Sequence, residues 1–440
     1  MTGHSKRTLE TLRNFESRNV TFIDPDGSWP IVWERAQGTY VWDADGRRYL
    51  DLTAAFGVAA AGHANRRVVR AGQRQMPILL HAMGDVHPHP LKGELAKRLS
   101  ELTFGRWTAG SRRPTHGKVI LGNSGFEAVE AALKTARLAT GRPGVIAFEG
   151  GYHGLGYGAL NTTHRGHFRD PFRDQLREFG FFVPFPTNSP LLKAMDKKIR
   201  HLAIKGRVGA ILVEPIQARG GIRVPVPGFL KRIRQLADDL GCLLILDEIY
   251  TGFGRTGSWF ATEHSGIVPD LICLGKGLTG GFPLSACVGR ADLMDEAWPE
   301  STGEAIHTST FLGHPVGCAM ALAQIAEIQR RNLVGRAQHI GDFFRRELVE
   351  KLAGDYAWGT ARIPGVGLML GVELVDRRDR PATELALRSM KSMLQRGFIL
   401  LPEGEHGNVL ALTPPLTISR VEVKSAIKAL STVLRELEAS

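Results

Sequence analysis

Short apolar runs alternate with stretches of helical period through the middle of the chain. The runs are KVILG (118–122), VIAFE (145–149), AILVE (210–214), LLILDE (243–248), DLICLG (270–275) and LSACVG (284–289). Read as strands separated by helices, they predict an open α/β sheet, mostly parallel. Before this block, the opening segment is helix-like and YVWDADGRRYLDL reads as a hairpin turning at Asp45-Gly46. After Pro315 a helical pattern runs to about Arg331, and GLMLGVELV, GFILLP and NVLALTPPL then lie between further helical stretches. This last part reads as a smaller α+β unit that packs with the N-terminal hairpin. The predicted partition is 1–65 for the N-terminal segment of the small domain, 66–330 for the large domain and 331–440 for the C-terminal part of the small domain. The change of pattern alone places these boundaries, because no Pro/Gly-rich linker marks them.

Ligands of open α/β sheets bind beyond the carboxyl ends of the strands, so residues following the apolar runs carry the information. Asp247 ends LLILD; it is a capping residue or a site residue, and alone it favours the cap. Lys276 follows DLICLG among Gly275, Gly277, Gly280 and Gly281. It is either a surface lysine in a turn or a partly desolvated amine, whose lowered pKa would make it a nucleophile. Ser124-Gly125-Phe126 follows KVILGN and opens the helical stretch EAVEAALKTARLATG. A small residue at a helix N-terminus is an anion site, although a plain N-cap by Asn123 or Ser124 explains it equally well.

Composition narrows the class without naming it. With 23% charged and 43% hydrophobic residues the chain is an ordinary globular one. Its net charge of +12 raises nucleic acid as a partner, but the basic residues are scattered and no zinc-finger or RNA-binding spacing accompanies them. A solvated cationic surface is the reading, with no nucleic-acid partner. Cys242, Cys273, Cys287 and Cys318 are well separated and form no CxxC pair, as expected of free buried thiols in a reducing compartment. The N-terminus has no apolar core of a signal peptide, and no run reaches membrane-spanning length. The expectation is a cytoplasmic protein without a membrane partner. His87 and His89, in DVHPHP, imitate a metal pair, but no further ligands of clear spacing follow; no metal is expected.

Taken together, the phosphate site, the strand-end acid and the strand-end lysine resemble the class III, ornithine/4-aminobutyrate-type aminotransferases. The resemblance is carried in order by VWDADGRRYLDL, GHANRRV, NSGFEAVEAALKTAR, FEGGYHG, ILVEPIQARGG, LLILDEIYTGFGRTG, PDLICLGKGL, TSTFLGHPVGCA, GVGLMLGVEL and LTPPLTIS. It implies a fold-type I transferase dependent on pyridoxal 5'-phosphate, with a large mostly parallel-sheet domain and a smaller α+β domain formed by both chain termini. It further implies Lys276 as the Schiff-base lysine and proton shuttle, and Asp247 as the acid beneath the pyridine nitrogen. Ser124, Gly125 and Phe126 would serve the phosphate. Tyr152 would stack on the ring, with His153 beside it in the same GGYHG motif, and Thr310 would reach the phosphate of a neighbouring subunit. The active sites would then be shared across a homodimer. Glu214 matches the acid beside the substrate.

The chain departs from that pattern where substrate is recognised. Two arginines that grip carboxylates in the 4-aminobutyrate and ornithine enzymes are replaced by Leu155 and Ala411, and no nearby arginine in either segment restores them. A bidentate arginine contact has no conservative replacement. Tyr250 stands where a glutamine usually sits near the cofactor's 3′-oxygen, and its phenol is expected to donate there. Phe56 adds an apolar wall. Glu214, deprived of its usual partner, needs a substitute cation, for which Arg219 or a substrate ammonium is the candidate. The expected reaction is amine (ω-type) transamination between a small-molecule amine or unusual amino acid and a keto acid or aldehyde. A racemase, epimerase or aminomutase of the same family is the alternative, a lyase is possible on this fold, and a non-catalytic binding protein is remote.

Overall fold

The computed structural model describes residues 3–439 except 26, 113 and 205. Near the N-terminus, β1 (Trp33–Gln37), β2 (Tyr40–Asp43) and β3 (Arg48–Asp51) form an antiparallel meander, with the β2–β3 hairpin turning through Gly46 at φ 82°. The central block supplies β4 (Gly117–Gly122), β5 (Gly144–Phe148), β6 (Gly180–Val183), β7 (Val208–Val213), β8 (Leu243–Asp247), β9 (Leu271–Leu274) and β10 (Ser285–Arg290). They form one seven-stranded sheet in the order β4-β10-β9-β8-β7-β5-β6. Every neighbouring pair is parallel except the two made by β10, which enters antiparallel between β9 and β4.

The continuous apolar character of these strands has a geometric cause. In β7, Ala210 and Leu212 face the helix Gly125–Thr140, whereas Ile211 and Val213 face the helices Ser189–Ala203 and Phe229–Leu240 on the other side. Ile245 and its neighbours Leu244 and Leu246 divide in the same way along β8. A strand covered on both faces cannot alternate apolar with polar residues. The helix Gly125–Thr140 presents Ala128, Ala131, Ala132 and Ala136 to the sheet, small side chains that allow close approach. The edge strand β6 has no counterpart among the predicted runs. Its residues Gly180–Phe182 are only partly buried, and Pro184 and Pro186 follow at once, so it lacks the signal of a central strand.

The C-terminal region adds β11 (Gly354–Tyr356), β12 (Gly359–Arg362), β13 (Gly365–Val366), β14 (Met369–Asp376), β15 (Phe398–Ile399), β16 (Leu401–Glu403) and β17 (Val409–Leu412). Most form a sheet in the order β11-β12-β14-β17-β16, with β13 paired to β14. β15 instead joins β3 in parallel, Phe398 opposite Leu50, so the two ends of the chain share a sheet. The four cysteines are free and buried, with Cys273 and Cys287 opposite each other on β9 and β10. Among the described residues no helix is long and apolar enough to cross a membrane. His89 precedes the helix Pro90–Ser100, and its Nε2 bonds the Gly313 carbonyl oxygen at 2.7 Å.

Candidate active site

Three strand ends converge as the α/β topology requires. β8 ends on Asp247, β9 is followed by Gly275 and Lys276, and β4 leads into the helix that begins at Gly125. Lys276 is half-buried, in the left-handed region at φ 40°, a conformation that L-residues adopt only under constraint. Its Nζ lies 4.6 Å from the centre of the Tyr250 ring. Burial drives its pKa below the usual lysine range, while Asp247 and Glu214 pull it partly back. A lysine so placed keeps a neutral, nucleophilic fraction that a surface lysine lacks.

Asp247 is fixed by two contacts. Its Oδ2 lies 2.7 Å from Nδ1 of His153, and its Oδ1 accepts the Ile249 N–H at 3.1 Å. His153 is anchored in turn by its own backbone N–H, which donates to Thr163 Oγ1 at 2.9 Å. Its Nε2 is buried without a hydrogen-bond partner. The histidine therefore acts on the acid, holding the carboxylate's orientation from the rear. At the β4 end, Glu127 accepts the backbone N–H groups of Asn123 and of Ser124, the latter at 2.9 Å. This closes part of the helix N-terminus but leaves the Ser124 hydroxyl buried and unpartnered. An orphaned hydroxyl beside free N–H groups and the positive end of a sixteen-residue helix suits an anion.

Glu214 does not pair with Arg219. Its carboxylate accepts two backbone donors instead, Tyr152 N–H at 3.0 Å and Ala218 N–H at 3.1 Å. Burial pushes this carboxyl up to about 7, with His153 drawing it down and Asp247 raising it. One main-chain donor from its own turn and one from the loop after β5 thus take the place that a cation was expected to fill. Arg219 faces Glu403 at the end of β16, its Nε 3.5 Å from Oε2. Its guanidinium also lies 5.4 Å from the Tyr152 ring centre. Glu403 was missed in the sequence, although the signal was there: it ends the apolar run GFILLP as Asp247 ends LLILD.

Tyr250 meets a hydroxyl of its own chain. Its hydroxyl lies 3.0 Å from Thr413 Oγ1, which itself lies 3.2 Å from the Thr53 carbonyl oxygen. Either hydroxyl can be the donor in the Tyr250–Thr413 bond. Ala411 is not open surface: only 4% exposed, it packs with Ile216, Ala218 and Met369 in a cluster that Tyr250 joins. Phe56 and Leu155 are each 47% exposed. Phe56 completes a run of left-handed residues, Ala54, Ala55 and Phe56 at φ 48°, 49° and 60°. Such a run is strained by roughly 1–2 kcal/mol per residue. Asp51 holds it, with Oδ1 accepting from Thr53 and Oδ2 bonding both Ala55 N–H and His63 Nε2. Phe126 packs against Gly154, where an added Cβ would come within 2.3 Å of the Phe126 Cβ. Thr310 is exposed and makes no hydrogen bond with these groups of its own chain.

The sequence profile of the family Aminotransferase class-III matches residues 23–434. The chain belongs to the class III aminotransferases. Among the relatives of this aminotransferase is an acetylornithine aminotransferase of Methanosarcina mazei, 34% identical over 95% of this chain and 97% of that one. Another is the 5-aminovalerate aminotransferase of Pseudomonas aeruginosa, 34% identical over 93% and 94% of the two chains. The solved ornithine aminotransferase of Toxoplasma gondii superposes with a TM-score of 0.85 at 28% identity, covering 100% of this chain and 96% of that one. A second structure of that enzyme is described with pyridoxal phosphate at its active site. This chain is accordingly a pyridoxal-phosphate-dependent aminotransferase of fold-type I, and its relatives do not favour the racemase alternative. Its residues fit the cofactor: a desolvated lysine, an oriented carboxylate and an orphaned hydroxyl at a helix N-terminus are the donor set it needs.

Proposed function

We propose that this aminotransferase takes its amino group from an amine or unusual amino acid with a neutral or apolar body and delivers it to a keto acid or aldehyde. The observation that carries this reading is the apolar packing at Ala411, beside Tyr250, together with Leu155 at the second position lacking an arginine. Pyridoxal phosphate supplies the electron sink for the substrate's Cα–H bond when it is bound. Lys276 holds the cofactor and carries the proton at its Nζ. Asp247, oriented by His153, keeps the ring nitrogen protonated. Ser124, Gly125 and Phe126 would hold the phosphate, and Tyr152 would contact the ring. Tyr250 walls the site with its ring facing Lys276 Nζ, while Phe56, Leu155, Glu214 and Arg219 bound the substrate space.

The donor class is tested by steady-state kinetics with pyruvate as acceptor. 4-Aminobutyrate, ornithine and 5-aminovalerate should be poor donors beside an aryl-alkyl amine such as 1-phenylethylamine. Each carboxylate forgoes charge-assisted bonds worth roughly 1.5–3 kcal/mol, on the order of tenfold to a hundredfold in rate. A clear preference for any of the three amino acids defeats this reading, and interconversion of enantiomers without an acceptor points to racemization instead.

The same proposal includes a homodimer with shared active sites, working in the cytoplasm, and the chain partition 1–65, 66–330 and 331–440. Supporting the dimer, Ile78, Leu80, Met83 and Phe311 are exposed apolar residues on two segments that Asp85 and Thr308 tie together. Contiguous exposed apolar surface of this kind marks an interface. The four buried free thiols suit a reducing compartment. Light scattering should give at least a dimer at assay concentration. Thr310→Ala should raise the dissociation constant for pyridoxal phosphate by about tenfold, the worth of one hydrogen bond to a charged group. An active monomer, or unchanged cofactor affinity, contradicts the shared site.

A further inference from the structure

A cavity of about 540 Å³ opens between the loop that follows β7 and the six-stranded sheet, and neither Lys276, Asp247 nor Tyr152 lines it. Arg223 lies on the loop side, Glu373 on β14 of the sheet. Arg223 is anchored by neutral oxygens rather than by an acid. Its Nη1 donates to the Glu149 carbonyl oxygen at 3.1 Å and to Gln217 Oε1 at 3.2 Å, and its Nη2 to the Phe185 carbonyl oxygen at 3.4 Å. Gly150, at φ 83°, makes the room, because an added Cβ would come within 2.7 Å of Nη1. These contacts orient the guanidinium but leave its charge uncompensated, and Nε has no partner among the described residues. Burial lowers the Arg223 pKa against the pull of Glu149, Glu373 and Glu405. Glu149 is engaged with Lys198 at 3.7 Å, and Glu405 stands in water at the rim. Glu373 is half-buried and has neither a hydrogen bond nor an ion pair among the described residues. Its register neighbour on β12, Arg362, is taken by Asp379. A cation and an anion that face one cavity without pairing are each poorly compensated for the water they have lost.

We propose that this cavity is a second, non-catalytic site that takes a free zwitterionic amino acid, its carboxylate on Arg223 and its ammonium on Glu373. Both signs are required of the ligand. A carboxylate alone leaves Glu373 unpaired, and an ammonium alone leaves Arg223 unpaired. Ile222, Val375 and Val409, buried residues of the same lining, offer apolar surface to a short side chain. The volume is that of an ordinary small-molecule site. Bonded at both ends, the ligand ties the loop after β7 to the six-stranded sheet. Gly150, Gly220 and Gly404 also line the cavity, and the chain runs from them within two residues to Tyr152, Arg219 and Glu403. The wall towards the substrate space is thus shared backbone. Transamination of a keto acid yields an amino acid, so the reaction itself supplies a ligand of this class.

The test uses the cofactor-loaded enzyme and L-proline, a zwitterion whose secondary amine cannot be transaminated, titrated by calorimetry. Proline should bind with a dissociation constant of about 1 mM or tighter and raise the melting temperature. Propionate and propylamine, which carry one charge each, should bind roughly tenfold to a hundredfold more weakly. Glu373→Gln should weaken proline by the same factor. Glu373 makes no hydrogen bond, so this variant should keep the parent's fold and transaminase activity. Arg223→Gln should weaken proline as much and also lower the melting temperature, because the Glu149 and Phe185 carbonyl oxygens lose their donor. If Arg223→Gln does not fold, Glu373→Gln and the two single-charge ligands still decide the matter. Failure of the wild type to bind proline, propionate binding as tightly as proline, or proline affinity unchanged in Glu373→Gln overturns the proposal. Weakening by Arg219→Gln but not by Glu373→Gln places proline in the substrate space and overturns it as well.

Discussion

Lys276→Ala is expected to abolish transamination, with a loss on the order of 10⁴-fold or more, because one side chain supplies both the covalent anchor and the proton carrier. The visible absorbance of the lysine-bound cofactor should disappear with it. The fold should survive. Desolvation works against the charged form of Lys276, so removing the amine relieves an unfavourable group and the melting temperature of the cofactor-free protein should not fall. Alanine inherits the left-handed backbone at this position and adds no new strain. Turnover at a normal rate with the cofactor bound would remove Lys276 from the chemistry. Loss of activity accompanied by unfolding would make it structural.

The second large effect is expected at Asp247. Asp247→Asn should slow transamination by about a hundredfold or more, since a neutral amide cannot hold a proton on the ring nitrogen by charge. The structure adds a stability term. Asp247 accepts from His153 through one oxygen and from the Ile249 N–H through the other. Asparagine has one acceptor, so one of these two donors then faces an NH₂ group, at roughly 1–3 kcal/mol. Thermal melts and kcat measured on the same preparation separate the effects. A variant within about threefold of the parent rate, roughly 0.65 kcal/mol of barrier, would refute the role of the acid. His153→Ala should reproduce part of the loss by freeing the carboxylate to rotate.

Much of the site was legible because strand ends are local events. An apolar run followed by Asp247, another followed by Gly275-Lys276 and a third followed by Ser124-Gly125 define three termini, and a parallel sheet brings such termini to one edge whatever the rest of the chain does. β6 escaped because an edge strand needs no continuous apolar run. Glu403 escaped for a different reason. It ends a short strand of the six-stranded sheet, and although it closes an apolar run as Asp247 does, nothing in its neighbours says which side chains it will face.

Residue type and spacing were enough for the fold class, for the strand-end positions of Lys276, Asp247 and Ser124-Gly125, and for the absence of arginine at positions 155 and 411. Each depends on residue type and spacing within a single element or motif. Which partner each long polar side chain takes depends on how distant segments pack. Arg219 could reach Glu214 in its own loop, but the Tyr152 and Ala218 amides satisfy that carboxylate first, and the Gly404–Arg219 backbone bond sets the guanidinium beside Glu403. Tyr250 meets Thr413, far along the chain, and Thr413 in turn reaches the Thr53 carbonyl oxygen. Hydrogen-bond donors and acceptors within a buried site compete at distances of about 3 Å, and the approach of segments far apart in the chain settles that competition.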